Sequence, residues 1–102
     1  MAPKPRMLVL DEPMTGLDVV MRDRFRRMFD IMIPSGISVM MITHELEDIP
    51  LGVRRVIMLK EGRKMADGPK EKVLTSGNLS RLFDEDIEVS ESGGVYRMRL
   101  RG

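Results

Sequence analysis

Two acidic side chains, Asp11 and Glu12, follow the apolar run at residues 7–10, and the chain's one histidine, His44, follows a second apolar run at residues 37–43. These residue types suit phosphoryl transfer. An Asp at the end of a buried strand can hold Mg²⁺, commonly through water, while a Glu just beyond it can orient or deprotonate an attacking water. Catalysis of that kind is mostly positioning and charge stabilisation. Neighbouring side chains on a strand point to opposite faces, so Asp11 and Glu12 would not chelate one ion together if the strand ran on through both. They suit two separate jobs. Each residue also has a plainer reading: Asp-Glu-Pro can be a strand ending in a solvated turn, a strand-end histidine can be a hydrogen-bonded structural residue, and Asp18 can be an N-cap alone.

The elements that must position these residues follow from hydrophobic spacing. Residues 7–10 and 37–43 are continuous apolar runs that read as buried parallel strands. Between them, from Val20, apolar residues recur at Met21, Phe25, Met28, Phe29 and Met32, with Arg22, Asp23, Arg26, Arg27 and Asp30 on the other side. This spacing predicts an amphipathic helix, with Asp18 at its N-cap and Pro34 and Gly36 ending it. Strand, helix, strand is a βαβ crossover, almost always right-handed, which leaves the strands parallel. Their C-terminal ends then share one edge, where open α/β sheets bind ligands, and Asp11, Glu12, Thr43 and His44 fall there. Beyond His44, Glu45, Glu47 and Asp48 suit the N-terminus of a helix kept short by Pro50 and Gly52. Residues 56–59 and 63–66 form a predicted hairpin around Lys60-Glu61-Gly62, closed by Asp67-Gly68-Pro69. Residues 70–74 and 79–83 read as short helices around Ser76-Gly77-Asn78, and residues 87–89 and 95–100 as a second hairpin flanking Ser92-Gly93-Gly94.

The 102 residues suit one core, with 42% apolar content, and the net charge is only +1. Arg22, Arg24, Arg26 and Arg27 are the densest basic group, but Asp23 and Asp30 interrupt it, so it reads as a solvated helix face and nucleic acid is not an expected partner. The absence of cysteine rules out disulfides and cysteine-based zinc sites and fits a reducing compartment, with cytoplasm the expected location. No apolar run approaches the roughly 20 residues that cross a bilayer, so any membrane association is expected through a partner. Eleven Met residues accompany only four aromatics, a pattern read as core gap-filling in preference to a docking surface.

Together the motifs are far more specific than any one of them. MLVLDEPMTGLD at residues 7–18, with ITHELED at residues 42–48 on the next strand, resembles the ATP-binding-cassette (ABC) ATPases. The resemblance makes MLVLDE the Walker B segment, with Asp11 its magnesium-associated Asp and Glu12 its catalytic Glu. Thr15, Gly16, Leu17 and Asp18 match the D-loop that faces a second subunit, and His44 matches the switch histidine near the γ-phosphate. Residues 55–83 resemble the strand, hairpin and helical tail that follow in that family, and the wording VLTSGNLSRLF resembles importer ATPases for iron chelates or cobalamin. What the resemblance implies is a partial P-loop NTPase fold of the α/β class: a parallel βαβ unit, a hairpin, short helices and a C-terminal hairpin. Residues 1–86 would be the C-terminal part of the ATPase domain and residues 87–102 a β-hairpin extension. ATP and Mg²⁺ are the implied cofactors. A second ATPase subunit, as a homodimer, and transmembrane permease subunits are the implied partners, placing the protein peripherally on the inner face of the cell membrane.

The departures from the family are as specific. Within these residues there is no GxxxxGKS or GxxxxGKT phosphate loop, no glutamine loop and no LSGGQ-type signature; the Gly-Gly pair, Gly93-Gly94, has no Lys-Ser or Lys-Thr after it. APKPR at residues 2–6 resembles the loop that leads into Walker B. In the family the P-loop strand lies between the switch-histidine strand and the next one, so its absence is expected to leave unpaired edges and exposed apolar surface. The chain by itself is accordingly expected neither to bind ATP tightly nor to hydrolyse it. Two other readings stand beside this one: a non-catalytic interaction or regulatory module derived from an ABC ATPase, and a fragment of a non-transport ABC ATPase of the DNA-repair type, against which the absence of long heptads speaks.

Overall fold

The computed structural model describes residues 7–102; the APKPR segment lies outside the described residues. The chain divides into two compact units between Gly52 and Val53. In the first, β1 (Met7–Asp11), α1 (Val19–Met32) and β2 (Ser38–Ile42) form the expected βαβ unit, with β1 and β2 parallel in register from Met7 opposite Ser38 to Asp11 opposite Ile42. The helix starts where the sequence asks it to. Asp18 is extended, and its side chain accepts a 2.8 Å hydrogen bond from the Met21 N–H, satisfying one of the donors that a helix start leaves open. A 3-10 turn at Ile33–Ser35 tightens the helix end at Pro34, and Gly36, left-handed at φ 91°, carries the chain away.

Burial in this unit departs from the buried reading of the apolar runs, in the direction expected from the missing P-loop strand. Parallel strands this apolar normally lie covered on both faces. Here Met7, Val9, Met40 and Ile42 share one face of the two-stranded sheet and are exposed, whereas Leu10, Val39 and Met41 on the opposite face are half-buried. Two strands and one helix supply too little cover for both faces. The apolar stripe of α1 is likewise only partly used: Phe29 is fully buried and meets Phe25 at a ring-centroid distance of 5.1 Å, while Val20, Met21 and Met28 stay exposed. The helix expected after His44 is a single 3-10 turn, Leu46–Asp48. With Pro50 two residues beyond, an α-helical turn cannot continue there.

In the second unit, β3 (Arg55–Lys60) and β4 (Arg63–Pro69) pair antiparallel with a bulge at Met58/Leu59. Glu61 at φ 52° and Gly62 at φ 74° make the two left-handed central residues of a tight hairpin turn. Asp67-Gly68-Pro69 does not close the hairpin, as expected, but belongs to β4, because Arg55 opposes Pro69 and grips the Asp67 carboxylate through two nitrogens at 2.8 and 2.7 Å. Arg55 and Lys64 hold that carboxyl well below the usual carboxylate range. Next come α2 (Lys70–Val73) and α3 (Ser76–Phe83). Ser76-Gly77-Asn78, expected as a break, is instead the first turn of α3, because the Thr75 hydroxyl caps it by accepting from the Asn78 N–H at 3.2 Å. The chain ends in β5 (Ile87–Ser92) and β6 (Val95–Leu100), antiparallel around Gly93-Gly94, both glycines at positive φ. Met58, Val73, Leu74, Leu79 and Ile87 are the buried apolar residues of this unit. Methionine fills core at Met14 and Met58, but Met7, Met21, Met28 and Met40 are exposed.

Candidate active site

Asp11 closes β1, and there the alternation of the strand stops, because Glu12 adopts a left-handed backbone at φ 48°. The Glu12 N–H still donates to the Ile42 carbonyl at 2.7 Å, so the two strands remain tied at the point where the chain swings away. Thr15 N–H returns to the Glu12 carbonyl and Leu17 N–H to the Met14 carbonyl, each at 3.2 Å, with Gly16 at φ 80°. Met14, 1% exposed, pins this double turn from inside, and Asp18 hands it to α1. Residues 12–18 are thus a built turn between β1 and α1.

On the neighbouring strand end, the Thr43 hydroxyl accepts from the Glu45 N–H at 3.1 Å, a local turn that places His44 beside Glu12. His44 Nδ1 lies 2.7 Å from Glu12 Oε1, within the range of a charge-assisted hydrogen bond, and His44 Nε2 lies 3.6 Å from Glu45 Oε1. The bond to Glu12 and its negative charge raise the His44 pKa above the ordinary 6.5, with smaller additions from Glu45 and Asp48. Two residues 32 positions apart in sequence are brought together as an acid–imidazole pair.

Asp11 is exposed on the open sheet face, and among the described residues nothing pairs with its carboxylate. No group of three metal-ligating side chains exists among the described residues. A single free carboxylate suits Mg²⁺, which takes one or two protein carboxylates and completes its shell with phosphate and water. Thr15 and Gly16 are exposed in the turn, Leu17 is half-buried, and Asp18 is occupied as the N-cap.

One group was not singled out from the sequence. Asp48, grouped there with Glu45 and Glu47 as helix-starting acid, is buried at 3% exposure and meets Arg22 at 3.0 Å and Arg26 at 3.5 Å. Both arginines belong to the basic group whose sequence pattern suggests a solvated face. The available signal was their four-residue spacing, which puts them on one side of α1.

No family model matches the chain. Similarity to individual proteins is clear. Over 81 residues the chain is 33% identical to the vitamin B12 import ATP-binding protein BtuD of Citrobacter koseri, and 32% identical to its Escherichia coli counterpart. In both, the match covers 79% of this chain and 32% of the relative, so the chain spans about a third of the length of the curated relatives it matches. A solved inward-facing structure assigned to the metal-chelate type of ABC transporter superposes on 95% of the chain and 40% of that chain, with a TM-score of 0.76 at 20% identity, which establishes the shared fold. Among the described residues no helix is long and apolar enough to cross a membrane. The chain is thus similar, over about a third of their length, to the ATP-binding subunits of ABC transporters, and it shares the α/β fold of the C-terminal part of such a subunit.

Proposed function

We propose that this chain is the hydrolytic, C-terminal portion of the ATP-binding subunit of an ABC importer. The observation that carries the reading is the 2.7 Å contact between Glu12 and His44 at the C-terminal ends of two parallel strands. In this reading Glu12 is the general base. Oε1 accepts from the His44 ring, and Oε2 is left to take a proton from an attacking water. His44, protonated over a widened pH range by its neighbour, orients the Glu12 carboxylate through Nδ1 and presents Nε2–H toward a developing negative charge. Asp11 would hold Mg²⁺, which when bound neutralises charge on the phosphate oxygens. Thr15, Gly16, Leu17 and Asp18 form the turn that meets a second ATPase subunit, and permease subunits hold the assembly at the cytoplasmic face of the membrane. The relatives' names point to cobalamin or a metal chelate as the class of solute.

Because these residues contain no phosphate loop and no signature segment, ATP must be gripped by residues outside them. Calorimetry of the pure chain with Mg-ATP is expected to give no saturable binding at micromolar concentration, and fusion to a P-loop-bearing segment is expected to give hydrolysis. Micromolar binding by the 102 residues alone would overturn the division of labour. A docking module without catalysis is the second reading, favoured by the exposed face of Met7, Val9, Met40 and Ile42. A fusion that binds ATP yet never turns it over would decide for that module.

A further inference from the structure

His44 is 65% exposed in its side chain, and exposed ion pairs such as its contact with Glu12 contribute too little to fix a loop. The Thr43–Glu45 turn shapes the segment locally, and a tie to the helix is still needed to hold it in place. Asp48, four residues on, is the buried charged residue among those described. Its backbone N–H donates to the Glu45 carbonyl at 3.2 Å, tying it to the residue next to His44. Its Oδ1 accepts from Arg22 Nη1 at 3.0 Å. Arg22 in turn sits one helical turn beyond the Asp18 cap, bonding Asp18 O at 2.9 Å through its N–H, and its side-chain Nε donates to the Leu17 carbonyl at 3.2 Å. One guanidinium therefore spans the turn at residues 15–18 and the segment carrying His44, using the fork geometry that lysine lacks. Arg26 is the weaker contact, at 3.5 Å, with its buried Nε unpartnered.

We propose that Arg22 and Asp48 are positioning residues that set His44 against Glu12, a role resting on the reading of that pair as the hydrolytic centre. Burial makes the device stiff: Asp48, buried against Arg22 and more loosely Arg26, cannot leave them without stranding an uncompensated charge. The Glu12 turn and the His44 segment are thereby held as one piece.

The test reads the His44 ring by NMR in the labelled 102-residue chain, with Arg22→Gln, Arg22→Lys and Glu12→Gln, and with Asp23→Asn as a control that breaks an exposed pair on the same helix. The charges facing His44 are Glu12, Glu45 and Asp48, with Arg22 and Arg26 behind Asp48. By charge alone, removing the Arg22 cation would raise the His44 titration midpoint; loss of position lowers it, because the Glu12 bond is lost. The expected result is a fall toward 6.5 in both Arg22 variants, at least half as large as the fall in Glu12→Gln, and no change in the control. An unchanged or raised midpoint in a folded Arg22 variant would overturn the proposal. So would loss of the dispersed spectrum in both Arg22 variants, which would make the pair a determinant of folding, or an unmoved midpoint in Glu12→Gln, which would leave no bond to position. Failure of the ATPase reading is recognised separately, since no nucleotide enters this measurement.

Discussion

A left-handed backbone at a non-glycine residue costs on the order of 1–3 kcal/mol, and Glu12 carries that cost at φ 48°. Glycine would relieve it and alanine would not. Chemical denaturation is therefore expected to find Glu12→Gly more stable than Glu12→Ala by about 1 kcal/mol; equal stabilities would remove the strain from the account. His44 supplies the pH dependence of the site. Its folded pKa is raised, so the bond to Glu12 contributes stability that is fully present below 6.5 and fades as pH rises through the raised value. The ring is expected to titrate above 6.5 in the intact chain and closer to 6.5 in Glu12→Gln, as followed by its ring-proton shifts. At this scale the sequence was informative where position alone decides. Asp11 and His44 fall at strand ends because the apolar runs end there. The left-handed turn at Glu12 and the burial of Asp48 were not legible, since both depend on contacts with residues far along the chain, Ile42 and Arg22.

The elements follow from caps and periods more than from composition. Asp18 is a sufficient N-cap for α1, so Asp18→Ala is expected to lower stability by about 1 kcal/mol and Asp18→Asn by much less, as measured by denaturant melts. An equal loss in both would mean that the carboxylate charge, and not the accepted hydrogen bond, is what matters. In the second unit Leu79 is 1% exposed, and Leu79→Ala is expected to cost about 2–5 kcal/mol, read from the same melts. The βαβ unit and both hairpins were visible in spacing and turn chemistry. Ser76-Gly77-Asn78 was misread because glycine and asparagine are common breakers, whereas Thr75 supplies a cap that lets a helix begin through them. The 3-10 turn at Leu46–Asp48 shows the reverse case, in which Pro50 decides against helical continuation.

At the scale of the whole chain, the exposed apolar sheet face is expected to govern association in solution. Val9 and Met40 are direct partners across β1 and β2, 54% and 47% exposed, on a face that also carries Met7 and Ile42. Contiguous exposed apolar surface of this kind drives association. Sedimentation is expected to show the average mass rising above 11.7 kDa with concentration, and Val9→Lys with Met40→Lys is expected to suppress the rise. A concentration-independent monomer would count against an exposed face. From their apolar runs these strands read as buried, because such a run reports what a strand is suited to and not how many layers are present to cover it; the exposure was legible only in the missing P-loop strand.

Under the proposed function, Glu12 is the base of an ATP-hydrolysing centre. Turnover by the chain fused to a P-loop-bearing segment tests it most directly, with and without Glu12→Gln and with bound ATP quantified in both. The expected result is hydrolysis that Glu12→Gln lowers roughly 10²–10⁴-fold while ATP stays bound. Undiminished turnover in the Glu12→Gln protein would contradict it.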